Sequence, residues 1–304
     1  MGFTSGAKTL PDLIDDIANG LIASSVNWVE GDSTWNITDT TNNNARRVVR
    51  YTGDSADIWF SLECVNQTGI RISTADADTY AKGLRITIAA SWDSINHTWG
   101  ETNQQSFVYF EGEYADSSPN ADLGILQLSY YMWIDSTGFV VMARPESWPD
   151  DARQASFIVV LEHMASKEYS DGLTNFYCYC NVNANWCNGG YSHADFKLNK
   201  YMRPFSFMSG YSVDSGMQWW NGGKHAFKSN GNGKVYYTKP LVCNTADERT
   251  PIYQSELFFL FSTDRGLVDG DVVAVDGQTT KYLCKSISSP NSTSLLNYAI
   301  KYVA

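Results

Sequence analysis

GLVDGDVVAVDGQTTKYLCKSISSPNSTSLLNYAIKYVA, residues 266–304, carries two Asp-Gly steps, Asp269-Gly270 and Asp276-Gly277, each beside a short β-rich run. A tight hairpin turn wants positive φ at its central positions, which Gly adopts freely and Asp tolerates. Asp-Gly between apolar runs therefore predicts a hairpin. The runs 271–275, 280–287 and 295–303 read as strands of a small antiparallel module. Its last run is either the closing strand of that sheet or an edge offered to a neighbour.

Upstream, apolar residues recur with a period of two between polar turns, the pattern of half-buried strands. Strands are expected at 34–38, 45–51, 58–65, 84–90, 106–110, 123–134, 139–143, 155–162, 175–182, 235–238 and 257–262. Ser136-Thr137-Gly138 reads as a hairpin turn, while 185–199 and 209–233 read as long Gly/Asn-rich loops. Many short strands with turn residues between them predict an all-β fold with a β-sandwich-like core. The N-terminus differs. Leu10, Leu13, Ile14, Ile17, Ala18, Leu21 and Ile22 follow helical spacing behind Thr9 as cap and Pro11 in the first turn. Such a one-sided helix must pack on its own β core or on a neighbouring subunit. The expected organisation is an N-terminal helical arm (1–30), a sandwich core (31–265) and the C-terminal hairpin module (266–304).

Charge narrows the function classes. The net charge is -11, and the best basic group is Arg46, Arg47 and Arg50, read as outward positions of one strand. Nucleic-acid binding is not expected from so acidic a chain. The longest apolar runs, 157–161 and 257–261, are strand-sized, so membrane insertion is not expected either. Residues 1–8 hold no charged stretch followed by an apolar run, which predicts cytoplasmic synthesis without a cleaved leader.

Candidate chemistry is sparse. Cys178, Cys180, Cys187 and His193 have the spacing C-x-C-x6-C-x5-H, unlike the C-x2–4-C knuckle of structural zinc sites. A local disulfide between Cys180 and Cys187, a zinc site and plain thiols stay open; Cys64, Cys243 and Cys284 read as core. No catalytic motif surrounds His97, His163, His193 or His225, and no cofactor is expected. The aromatic groups are more informative. Tyr131 and Trp133 lie on one strand, and Trp219-Trp220 sits in a Gly/Asn-rich loop. These four can pack on their own sheet, anchor a protein contact or stack on sugar rings.

The segment 268–287, VDGDVVAVDGQTTKYLCKSI, resembles hairpins of tailed-bacteriophage virion structural proteins, where a similar run forms a small sheet at a subunit contact. The segment 6–36, GAKTLPDLIDDIANGLIASSVNWVEGDSTWN, also resembles proteins of phages and phage-tail-like particles. The resemblance implies a multi-copy particle component, a tail, baseplate, collar or capsid-attached protein, located in the virion. Its partners would be other virion proteins, copies of itself and, through the aromatic loops, a host-surface glycan. Leu13, Ile17 and Leu21 of the helix, with Asp269, Gly270, Asp276 and Gly277 of the hairpins, are the expected assembly elements. A carbohydrate-binding host-recognition module and a polysaccharide-degrading enzyme on a β scaffold are the alternatives.

Overall fold

The computed structural model describes residues 2–36, 45–65, 83–100, 103–109, 124, 126–146, 156–164, 175–183, 203–204, 211–214, 241–244, 250–260, 267–275, 277–286 and 297–303. In chain order the elements are β1 (Phe3–Lys8), α1 (Leu10–Ser24), β2 (Trp28–Glu30), β3 (Arg46–Tyr51), β4 (Ile58–Val65), β5 (Gly83–Ala89), β6 (Trp92–Asp93), β7 (Thr98–Trp99) and β8 (Asn103–Tyr109). There follow β9 (Leu128–Asp135), β10 (Gly138–Pro145), β11 (Ser156–His163), β12 (Phe176–Asn183), β13 (Arg203–Pro204), β14 (Tyr211–Asp214), β15 (Leu241–Asn244) and β16 (Thr250–Gln254). The chain closes with β17 (Phe258–Leu260), β18 (Val272–Ala274), β19 (Lys281–Ser286) and β20 (Asn297–Tyr302). The fold is all-β with one N-terminal helix, and its strand pairs are antiparallel. Among the described residues no helix is long and apolar enough to cross a membrane.

Three layers follow from which faces are apolar. The central sheet has the order β1-β9-β10-β11-β12-β13, and the lateral sheet β2-β3-β4-β5-β8. Phe139, Val141, Phe157, Val159 and Leu161 of the central sheet meet Val49, Phe60, Leu62, Ile86 and Ile88 of the lateral sheet in one core. The alternate residues Val140, Met142, Ile158 and Val160 enter a second core with Leu257, Phe258, Tyr298 and Ile300. The sheet β17-β20-β19-β18 thus covers the other face of the central sheet. Strands buried on both faces need apolar residues at every position, which is why β10 and β11 read as unbroken apolar runs.

The helix closes the first core. The Thr9 side chain accepts the Asp12 N–H at 3.3 Å, and Pro11 occupies the first turn as expected. Leu10, Leu13, Ile14, Ile17 and Leu21 are buried among residues of both sheets. This corrects the arm: the stripe expected to meet a neighbouring subunit is consumed inside the chain. Gly20 makes the close approach possible, since a Cβ there would stand 2.4 Å from Ile134 Cδ1. Before the helix, residues 3–8, to which no element was assigned from the sequence, form β1 on the edge of β9. Arg47 is also a correction to the outward reading. It lies on the inward face of β3 and pairs with Asp15 of the helix and with Glu30.

β18 and β19 form the hairpin expected at the second Asp-Gly step, whereas Asp269-Gly270 lies in a turn that precedes β18 and, among the described residues, joins no two paired strands. Gly270 and Gly277 have φ of +90° and +75°, the positive region that the Asp-Gly steps predicted. β20 is interior, between β17 and β19, so it closes its own sheet and is not an edge. β17 lies upstream of residue 266, so the expected boundary cuts through one sheet.

One buried carboxylate of the central sheet holds β16 and the β16–β17 connection, the segment that leads into this C-terminal sheet. Glu162 of β11 is fully buried and accepts from Tyr253 Oη (2.8 Å), Ser255 Oγ (2.7 Å), the Glu256 N–H (2.9 Å) and Tyr177 Oη. Burial raises its pKa above the ordinary glutamate value, even though all four donors favour the anion. The same desolvation, with the facing carboxylate, pushes the Tyr177 and Tyr253 hydroxyls up.

Candidate functional site

The residues singled out from the sequence are dispersed. Leu13, Ile17 and Leu21 are core. Trp133 is buried, with Lys301 Nζ 5.2 Å from its ring centroid, and half-buried Tyr131 has Lys285 Nζ at 4.5 Å. Both aromatics therefore face the chain's own C-terminal sheet. Cys64, Cys178 and Cys284 are buried, the first and last as expected. Trp219, Trp220, Cys187, His193 and Asp276 lie outside the described residues, as do the side chain of Cys180 and the run 235–238. Asp269 sits in an exposed turn and accepts from Lys285 Nζ at 2.7 Å.

What the structure does bring together is a group around Asp32 that the sequence reading passed over. Residues 34–38 were expected as a strand, but 33–35 form a turn. Asp32 makes it: its Oδ1 accepts from the Thr34 N–H (3.0 Å), Thr34 Oγ1 (2.9 Å) and the Trp35 N–H (3.0 Å). Its Oδ2 accepts from Trp92 Nε1 at 2.8 Å and from His97 Nδ1 at 2.9 Å. Trp92 and His97 belong to the β6–β7 ribbon, so the carboxylate staples this ribbon to the 31–36 loop. The loop in turn lies on the outer face of β3. Trp35 packs under the Arg46 guanidinium, 4.0 Å from its ring, and Asn36 Oδ1 accepts the Val48 N–H.

Trp92 is the hub. The rings of Trp99 and Trp35 lie 4.4 and 4.9 Å from it, and that of His97 6.4 Å. Trp92 and Trp99 are cross-strand partners next to the Ser91–Gly100 hydrogen bond, hence at a non-hydrogen-bonded position where side chains approach most closely. His97 ends the ribbon's loop at φ +53°, the sole non-glycine residue with positive φ among those described. Among the described residues, His97 Nε2 and the indole N–H groups of Trp35 and Trp99 have no hydrogen-bond partner, and all three rings are half-buried.

Burial alone would raise the Asp32 pKa. The hydrogen bonds from Trp92, His97, Thr34 and Trp35 together outweigh it and hold the carboxyl at about 2. A depressed carboxyl contributes stability that is complete above its unfolded value and is lost as pH falls through the folded one. That contribution is about 2 kcal/mol, lost between about pH 4 and pH 2. Asp32→Asn is expected to flatten this part of the acid-unfolding curve, followed by tryptophan fluorescence. An unchanged acid limb would exclude the role.

A second His–Asp pair is structural. Asp54 accepts from His163 Nε2 at 3.0 Å and Asn175 Nδ2 at 2.8 Å, and the His163 ring packs on Tyr51 and Phe176. Among the described residues no cluster of His, Cys, Asp and Glu is arranged to hold a metal ion. Comparison with protein-family models, with curated proteins and with solved structures finds no match.

Proposed function

We propose that this chain is a non-enzymatic structural component of a tailed phage or phage-tail-like particle. It acts through contacts with copies of itself and with other virion proteins. The observation that carries this reading is the open edge of the C-terminal sheet. β18 pairs with β19 on one side and, among the described residues, with nothing on the other. The Asp271 carbonyl accepts from Cys284 N–H and the Val275 N–H donates to the Thr280 carbonyl, so positions 271 and 275 face β19. Strand alternation then turns the backbone polar groups of Val272 and Ala274 toward the open side. Val272 is 47% exposed there, and neighbouring Val268 54%. An apolar edge with unpaired backbone groups is a template for another strand unless it is covered, and a subunit contact covers it. The resemblance of segments 268–287 and 6–36 to phage virion proteins supports a particle setting, with synthesis in the host cytoplasm.

Val272→Lys places a charge on this edge. It is expected to weaken association by about tenfold or more, with little change in thermal unfolding because the position is exposed. Sedimentation velocity of the purified chain, alone and with its particle's other proteins, measures this. A strictly monomeric chain that binds none of them overturns the assembly reading.

A further inference from the structure

We infer that the Asp32-anchored group of Trp35, Trp92, His97 and Trp99 is a binding site for a pyranose ring of a glycan. This site is independent of the β18 edge and does not rest on the assembly reading.

Three observations carry it. First, the aromatic rings are partly open. Trp92 is 9% exposed and fixed through its N–H, whereas Trp35 and Trp99 are half-buried around it. Among the described residues Trp92 is the one aromatic ring paired with Trp99, which is half-buried and so keeps part of its surface in solvent. The C–H face of a pyranose is apolar and flat, and a tryptophan ring is a matching surface. Second, polar groups of the required kind stand beside the rings. The Asp32 carboxylate accepts, so His97 Nδ1 carries a proton, and Nε2 on the opposite side of the ring is an acceptor whenever the ring holds that proton alone. A sugar hydroxyl can donate to Nε2, and the indole N–H groups of Trp35 and Trp99 can donate to other hydroxyl oxygens. Third, the arrangement is held in place. His97 keeps a left-handed backbone that costs energy in a non-glycine residue, and such strain persists only where its surroundings impose it. Those surroundings are the Asp32 bond, the Trp92–Trp99 pair and the Asp93 carboxylate, which accepts from the Ile95 and Asn96 N–H groups.

A core-packing role alone would account for Trp92. It leaves unexplained why two further tryptophans and a histidine gather there with polar atoms unengaged. The mixture of apolar ring surface and outward donors and acceptors suits a ligand that is apolar on one face and hydroxylated at its rim.

The test uses the full chain and three soluble probes: the tetrasaccharides of β-linked glucose, of β-linked N-acetylglucosamine and of α-linked mannose. Tryptophan fluorescence is titrated with each. At least one is expected to bind saturably, with a dissociation constant of about 1 mM or below. Trp99→Ala is expected to weaken that binding by about tenfold or more, and Trp99→Phe, which keeps an aromatic face, by less. His97→Asn retains access to the left-handed backbone while removing Nε2 and the Nδ1 bond to Asp32; it is expected to lower thermal stability somewhat and, measured well below the unfolding transition, to weaken binding by about threefold to tenfold. Absence of a saturable response with all three probes overturns the proposal. So does a response that survives both Trp99→Ala and His97→Asn unchanged.

Discussion

Glu162→Ala is expected to destabilise the fold by about 3–5 kcal/mol, the cost of removing one partner from a buried charged network. The carboxylate takes hydrogen bonds from two tyrosine hydroxyls, one serine hydroxyl and one backbone N–H, all in a region sealed from water. Alanine leaves every one of these donors without its acceptor, and each unsatisfied buried group carries its own desolvation penalty. Glu162→Gln preserves the volume and one acceptor oxygen, and the hydroxyls can turn to accept from its amide. Its cost is expected to be smaller, about 1–2 kcal/mol at acid pH. The pH dependence separates the two effects. Burial raises the folded-state pKa of Glu162 above the unfolded value, so the folded chain binds the proton more tightly. Wild-type stability must then fall as pH rises from the ordinary glutamate range toward that raised value. Glutamine lacks this penalty, so the gap between wild type and Glu162→Gln should narrow with rising pH. Urea unfolding at several pH values measures it. A constant gap, or an alanine variant within about 1 kcal/mol of wild type, would rule out the network as the joint between the central sheet and the 253–256 segment.

The C-terminal sheet and the helix were legible because their signals are local. Asp269-Gly270 and Asp276-Gly277 sit a few residues from the strands they order, and the helix carries its own cap and period. The helix's partner was not legible. An apolar stripe says that something must cover it, and only the fold shows that both sheets do. β1 was hidden for a related reason. FTSGAK has no alternation and few β-formers, and it is a strand because the edge of β9 accepts it. The polar centres were furthest from view. Trp92 reaches Asp32 across 60 residues, and Ser255 reaches Glu162 across 93. Glu162 reads in sequence as the polar end of an apolar strand, and its burial exists only once the segment at 253–256 lies over it. A local clue to the Asp32 site did exist. Asp-x-Thr favours a side-chain-capped turn over the strand expected at 34–38, and two tryptophans flanking a polar hexapeptide suit a paired ribbon.

Trp28→Ala is expected to cost about 3–5 kcal/mol, with the lateral and central sheets losing a shared aromatic joint. Trp28 belongs to the lateral sheet, yet its indole N–H donates to the Ser136 carbonyl in the β9–β10 turn at 3.0 Å. Its ring lies 5.0 Å from Tyr51, 5.4 Å from Phe60 and 5.7 Å from Phe176, the last on the central sheet. Alanine therefore opens a cavity between aromatic rings held by both sheets and leaves a carbonyl without its donor. Trp28→Phe fills most of the space but still loses that hydrogen bond, and should cost about 1–2 kcal/mol. Pairing Trp28→Ala with Glu162→Gln asks a further question. His163 and Phe176 are cross-strand partners, as are Glu162 and Tyr177, so the two joints act on neighbouring residues of the same strand pair from opposite faces. If the three layers unfold as one unit, both substitutions lower one transition and the denaturant slope stays constant. If the C-terminal sheet separates first, Glu162→Gln splits the curve and Trp28→Ala does not. A split produced by Trp28→Ala alone would instead make the lateral sheet the less tightly held layer.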